Sequence, residues 1–116
     1  MKAYYAHCKA IYRTPQEVRD TTLITQLGFE PINPASPEYD EGWKTQGMEY
    51  KQYFADMCDV IIFRALPDRR IPAGVAKEIE AFQALNKPVL ELPSGIMDRV
   101  MTVESTRNYL SEAGER

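Results

Sequence analysis

Residues 59–64 constrain the fold of this chain more than any other segment. They read Asp59-Val60-Ile61-Ile62-Phe63-Arg64, an apolar run rich in β-branched residues between two charged ends. β-branched residues favour strands, and a strand that is apolar on both faces has to be covered on both. The run therefore predicts a central strand of a parallel sheet that carries helices on both faces.

Strand-like and helix-like segments alternate along the chain. Short apolar runs predict strands at residues 3–6, 29–33, 59–64 and 89–92, and a further extended stretch around residues 100–101. Helical spacing predicts helices at residues 15–27, 47–57, 73–85 and 103–113, whereas prolines and a glycine make residues 34–46 a long loop. The alternation predicts a single α/β domain over residues 1–116. We expect a three-layer sandwich with a four- to five-stranded, mainly parallel sheet, similar to flavodoxin-like and Rossmann-like folds.

The start of the first helix is well marked. Thr14 can cap it, Pro15 suits its first position, and Glu17 can reach back to close a capping box. Val18, Leu23, Ile24 and Leu27 then form an apolar stripe. Gly28 ends the helix.

Composition excludes several classes of protein. The formal net charge of −3 gives no electrostatic reason to expect a nucleic acid polymer or an anionic membrane as partner. No apolar run approaches the ~20 residues of a membrane span, and the N-terminus does not read as a signal peptide. Cys8 and Cys58 are therefore expected to be reduced thiols in the cytoplasm. One histidine and two cysteines make no closed zinc site, so we expect neither a metal nor another cofactor.

Ligands of open parallel sheets bind beyond the carboxyl ends of the strands, where the strand order reverses. The groups that follow the predicted strands are His7 and Cys8, Asn33 and Pro34, residues 64–72 and residues 91–95. As the only histidine, His7 could donate to a phosphate or a leaving base, or it could be a loop histidine with partners of its own.

The sharpest local feature is Gly74 followed four residues later by Glu78, at the start of the third predicted helix. The spacing places both on one helical face, so that Gly74 leaves space for a ligand and Glu78 projects into that space. A carboxylate near a helix N-terminus is held ionised by the backbone dipole, and an ionised carboxylate can attack a sugar carbon. An ordinary glutamate that serves only the helix dipole is the alternative.

The segment from Tyr50 to Leu90 resembles the nucleoside 2-deoxyribosyltransferase superfamily and the related nucleoside 5′-monophosphate N-glycosidases. The resemblance rests on Cys58-Asp59-Val60-Ile61-Ile62-Phe63, Gly74-Val75-Ala76-Lys77-Glu78-Ile79 and Ala84-Leu85-Asn86-Lys87-Pro88-Val89, in that order and spacing. Tyr4-Tyr5-Ala6 and Gly28-Phe29-Glu30 fit as well, so that the resemblance covers most of residues 1–92.

The resemblance implies roles for individual residues. Glu78 matches the family's catalytic glutamate, which attacks the anomeric carbon and expels the base. Glu49 lies where the family often has an acid near the sugar, and Tyr4 matches an aromatic residue of the first strand near the site. Ser94 and Glu91 fall near the edge that binds the nucleoside.

The chain also departs from the family pattern. Many transferases carry an acid six residues before the glutamate, where this chain has Pro72, and a hydroxyl residue where it has Val75. Asp68 is the nearest upstream acid; it could shift inward, and Arg69 or Arg70 could meet a phosphate. The departures weigh more against base exchange than against the fold.

Two functions follow as expectations. The first is cleavage or transfer of the N-glycosidic bond of a nucleoside or its 5′-monophosphate, with Glu78 as nucleophile. The alternative is a non-catalytic module that binds or senses a nucleotide. The resemblance also implies a homodimer or higher homo-oligomer. Tyr50, Tyr53 and Phe54 could serve such an interface or pack on the sheet.

Overall fold

The computed structural model describes residues 1–93 and 100–114. The strands are β1 Lys2–Ala6, β2 Glu30–Ile32, β3 Val60–Phe63 and β4 Val89–Glu91. The α-helices are α1 Pro15–Gln26, α2 Asp40–Gln46, α3 Lys51–Met57, α4 Ala73–Ala84 and α5 Val103–Glu112. Short 3-10 turns lie at Lys9–Ile11, Pro37–Tyr39 and Gly47–Tyr50.

Within the described residues, the strands form one parallel sheet in the order β2-β1-β3-β4. Tyr4 pairs with Ile32 on one side and Ile61 on the other, and Ile61 pairs in turn with Val89, so β1 and β3 are the interior strands. The predicted three-layer α/β fold, Rossmann-like in its parallel sheet, is confirmed. The strand order reverses between β1 and β3, which is where such folds open a ligand cleft.

Side chains of the interior strands pack alternately into two hydrophobic cores, one on each face of the sheet, because successive side chains of a strand point to opposite faces. On one face, Tyr4 and Ile61 pack with Phe54 of α3 and Phe82 of α4. On the other face, Tyr5 and Ile62 belong to a core that includes Ile24 of α1. Burial on both faces is what the continuous apolar run of β3 predicts.

The prediction for α1 is correct at its start and wrong in two details. Thr14 accepts a hydrogen bond from the Glu17 amide, but the Glu17 carboxyl bonds His7 instead of closing a capping box. The stripe is also interrupted, since Val18 and Leu27 are exposed while Asp20 is buried. The buried acid is tolerated because Arg64 and the Tyr5 hydroxyl bond it.

The predicted loop at residues 34–46 is largely helical. Trp43 of α2 stacks on Phe54 and donates from its indole Nε1 to the Pro34 carbonyl oxygen. Gly42 lets α2 approach Tyr50 closely, because a Cβ there would lie 2.2 Å from the Tyr50 Cζ. Packing against these distant residues supplies stability that the local sequence lacks, which is why periodicity missed the helix.

Two further expectations are corrected by the structure, and one open alternative is decided. The single helix expected at residues 47–57 is a 3-10 turn followed by α3, and residues 100–101 are described outside any strand. Tyr50 and Phe54 are buried, and Tyr53 stacks on Tyr50 with about half of its surface exposed. Tyr50 and Phe54 therefore pack on the sheet within one chain.

Lys87 explains part of the turn that joins α4 to β4. Its ammonium donates to the carbonyl oxygens of Ala55, at 2.5 Å, and Asp56, at 3.2 Å, in the last turn of α3. A cation at a helix C-terminus satisfies carbonyls that have no partner within the helix. Asn86 reverses the chain just before it with a φ of 57°.

Helix α5 begins as predicted, since Thr102 accepts a hydrogen bond from the Ser105 amide. Each of its residues remains at least partly exposed, including Val103 and Tyr109. Across residues 1–93 and 100–114, no helix combines the length and apolar character that crossing a membrane requires.

Candidate functional site

A cleft of about 700 Å³ opens beyond the carboxyl ends of β1 and β3. One wall comes from the segment between β1 and α1, and the opposite wall comes from α2 and the turn after it. The floor is the start of α4. The lining residues are His7, Cys8, Lys9, Tyr12, Arg13, Pro34, Ala35, Asp40, Trp43, Gly47, Met48, Pro72, Gly74, Val75 and Glu78.

Glu78 lines this cleft, although only 7% of the residue's surface is exposed. The hydroxyl of Tyr4, which projects from the interior strand β1, donates a hydrogen bond to Glu78 Oε2. Tyr4 is itself fixed by ring contacts with Phe54 and Phe82, so the aromatic core sets the orientation of the carboxyl group. Strand β1 and helix α4 thus bring together two residues that are 74 positions apart in the chain.

Burial raises the pKa of Glu78 to about 7, although the Tyr4 hydrogen bond and the charge of Lys51 both act to lower it. The expectation that the helix dipole holds this carboxyl fully ionised is therefore wrong. Glu78 lies in the second turn of α4, and the dipole acts mainly on the first turn. The raised pKa means that part of the carboxyl population is protonated near neutral pH. Burial together with the nearby Glu78 raises the pKa of Tyr4 well above its ordinary value.

Gly74 lies one turn before Glu78 and also lines the cleft. A Cβ at this position would meet only the Met48 Cε, at 4.0 Å. The space above the helix start is therefore real, and Met48 borders it from the opposite wall. Gly74 has an ordinary helical backbone, so the chain does not need glycine here for a turn.

His7 lines the cleft, but its ring is buried and both ring nitrogens already have partners. Nδ1 lies 3.0 Å from the Tyr5 carbonyl oxygen and Nε2 lies 2.9 Å from Glu17 Oε2. Burial lowers the pKa of His7, and the hydrogen bond with Glu17 acts in the opposite direction. The ring joins β1 to α1, which favours the alternative of a histidine with its own partners.

Three other predicted site residues that the structure describes are absent from the cleft lining. Glu49 is exposed on the Gly47–Tyr50 turn, outside the cleft lining. Asp68 is exposed and accepts hydrogen bonds from the Arg70 backbone amide, at 3.0 Å, and from the Arg70 guanidinium, at 2.6 Å, and both lower the pKa of Asp68. Arg69 lines a separate cavity of about 380 Å³ with Glu91, Leu92 and Pro93. Ser94 lies outside the described residues.

Several lining residues escaped the sequence reasoning. Asp40 opens α2, and it lines the cleft where Glu49 was expected to supply an acid. Lys9 and Arg13 add positive charge on the opposite wall. Lys9 and Arg13 follow β1 in the sequence, which could have marked them as cleft residues. Asp40 and Met48 lie in or beside the segment that was predicted to be a loop, so nothing in the sequence marked them in the same way.

Behind the cleft wall, Asp20 forms a buried polar cluster that the sequence did not predict. Arg64 donates to both Asp20 oxygens, at 2.6 and 3.1 Å, and to the Pro93 carbonyl oxygen at 2.8 Å. The Tyr5 hydroxyl donates to Asp20 at 2.6 Å. The cluster ties α1 to the carboxyl ends of the sheet strands.

The cysteines differ in their surroundings. Cys8 lines the cleft with partial exposure, whereas Cys58 is buried, and burial raises the pKa of its thiol to about 12. Among the residues that the structure describes, no group of three or more His, Cys, Asp or Glu side chains is arranged to hold a metal ion.

Comparison with known proteins gives no match for this chain, whether by family model, by curated sequence or by solved structure.

Proposed function

We propose that this protein cleaves or transfers the N-glycosidic bond of a nucleoside or, more specifically, its 5′-monophosphate. The observation that carries the proposal is the buried Glu78 carboxyl group, held by the Tyr4 hydroxyl beside the open space above Gly74. A carboxylate fixed in a cleft by a donor is the arrangement that nucleophilic attack on an anomeric carbon needs.

In the proposed reaction, the ionised Glu78 attacks C1′ of the sugar and the base leaves with the electrons of the C–N bond. The leaving base takes a proton from solvent or from an acid in the cleft, and water or a second base then releases the sugar from Glu78. Tyr4 keeps the reacting oxygen in place. The pKa of Glu78 of about 7 leaves enough carboxylate at neutral pH for this chemistry.

The lining residues support a nucleotide-sized ligand. Tyr12 and Trp43 supply aromatic surface for a base, and Asp40 can accept hydrogen bonds from sugar hydroxyls. Lys9 and Arg13 supply positive charge that suits a phosphate. We therefore assign the second acidic role to Asp40 rather than to Glu49, and the phosphate role to these two cations rather than to Arg69.

The raised pKa of Glu78 also favours a second candidate, a module that binds a nucleotide without turnover. A carboxyl group that is partly protonated at neutral pH can donate a hydrogen bond to a base, as well as accept one. Pro72 and Val75, which stand where many transferases have an acid and a hydroxyl residue, line the cleft and fit this candidate.

A chromatographic assay for free base distinguishes the enzyme from the binding module. Purified protein is incubated with ribo- and deoxyribonucleosides and their 5′-monophosphates. Glu78→Gln is the test variant, and Glu80→Gln is its control, because Glu80 is exposed on the same helix. We expect wild type and Glu80→Gln to release a free base and Glu78→Gln to release none. Turnover by Glu78→Gln would refute the role of Glu78. A nucleotide that stabilises the protein without product would favour the binding module.

A further inference from the structure

The hydrogen bonds of His7 restrict where its protons can be. Nδ1 lies 3.0 Å from the Tyr5 carbonyl oxygen. A carbonyl oxygen can only accept, so Nδ1 has to carry the proton of this bond. In a neutral imidazole, the other nitrogen would then be a bare acceptor.

That bare nitrogen would face Glu17. Nε2 lies 2.9 Å from Glu17 Oε2, and an ionised carboxylate is also only an acceptor. Two acceptors repel at this distance, so the contact needs one further proton, either on His7 or on Glu17. The pair has a net charge of zero in both cases.

The surroundings favour sharing that proton over a free imidazolium ion. The ring is stacked on Tyr5, with centroids 3.7 Å apart, and contacts Tyr12 at 4.7 Å. Of the nearby charges, Asp20 on α1 is compensated by Arg64, whereas Glu78, Lys9 and Arg13 line the same cleft. Burial lowers the pKa of His7, so a charged ring alone is disfavoured, and a proton shared with Glu17 leaves little charge buried.

We infer that His7 and Glu17 hold a single proton between them, and that this proton positions the wall of the cleft formed by residues 8–13. The pair joins the end of β1 to the first turn of α1, and residues 8–13 are the chain between these two points. Loss of the proton leaves two acceptors in contact, so Glu17 turns towards solvent, where part of its side chain is already exposed. The wall then loses this side-chain link between β1 and α1.

The presence of a single histidine makes the test unambiguous. Ligand-free protein with ¹⁵N-labelled histidine is titrated by NMR upward from about pH 5. We expect a proton on Nδ1 throughout and a second, hydrogen-bonded proton at Nε2 that is lost on titration. Backbone amide signals of residues 8–13 should shift with the same midpoint. A neutral ring with its proton on Nε2 alone would overturn the inference. Backbone amide signals of residues 8–13 that do not shift with the His7 titration would overturn it as well.

Glu17→Gln is the matched variant. A glutamine amide can donate to Nε2 without any shared proton, so His7 should keep its Nδ1 proton and the coupled titration should disappear. Glu80→Gln should titrate like wild type. If Glu17→Gln does not fold, the wild-type spectra alone still show whether His7 and Glu17 share a proton. The experiment uses no ligand, so its failure is distinct from failure of the proposed function.

Discussion

Replacing Gly74 with alanine separates a ligand role for this glycine from a purely structural one. The backbone at Gly74 is helical, and the added methyl group would meet only the Met48 Cε, at 4.0 Å. Alanine therefore fits the ligand-free protein without strain. A glycine replaced at a compatible position stabilises a protein by about 0.4–1 kcal/mol, mainly by restricting the unfolded chain. For a domain of this size that raises Tm by roughly 2–6 °C.

The same methyl group occupies the space beside Glu78 that the proposed substrate requires. We therefore expect Gly74→Ala to melt at a higher temperature, by circular dichroism, and to lose most base release and nucleotide-dependent stabilisation. Gly42→Ala is the opposite control, because its Cβ would lie 2.2 Å from the Tyr50 Cζ, and overpacking of this kind costs about 1–3 kcal/mol. Full activity in Gly74→Ala would refute the assignment of this space to a ligand. A lower Tm for Gly74→Ala than for wild type would show that the added methyl group strains the folded protein.

Four further predictions concern charged groups. Because folding raises the pKa of Glu78 from 4.5 to about 7, the free energy of unfolding should fall by up to about 3 kcal/mol as the pH rises through this range. Denaturant titrations at several pH values should show this loss in wild type and not in Glu78→Gln. If the ionised carboxyl is the nucleophile, kcat/KM rises over the same range with a midpoint near the pKa of about 7, and a flat profile would contradict that role. Asp20→Asn removes the buried negative charge that Arg64 bonds and should cost about 3–5 kcal/mol in urea unfolding; a cost below about 1 kcal/mol would show that the pair is not effectively buried. Lys87→Met should cost about 1–2 kcal/mol by leaving the end of α3 without its cation, whereas Lys77→Met, at an exposed position of α4, should be near neutral.

Much of the fold could be predicted because it depends on short-range chemistry. A threonine followed by proline favours a helix start, since the cap and the fixed φ act within one turn. The run at residues 59–64 gave β3 within one residue at each end, since β-branched side chains favour extended backbone. These effects need no knowledge of what lies across the sheet.

The candidate site was only partly accessible in this way. Gly74 and Glu78 are one turn apart on one helix, so their common orientation follows from helical geometry. Tyr4 was expected near the site through the resemblance, but its hydrogen bond to Glu78 joins two different elements. Glu49 was predicted to be the second acidic residue of the site because it occupies the position in the chain where the resembled family often has an acid. Asp40 lines the cleft because α2 packs on the aromatic core.

By itself, the sequence determined the order of the four strands and of helices α1, α4 and α5, the covered central strand and the face that Gly74 shares with Glu78. Each of these follows from propensities and periodicities that operate over a few residues. Only the tertiary structure decided the helicity of α2, the burial of Asp20 beside Arg64 and the contact of His7 with Glu17. It also decided the pKa of Glu78, because desolvation depends on atoms that residues far along the chain bring into contact.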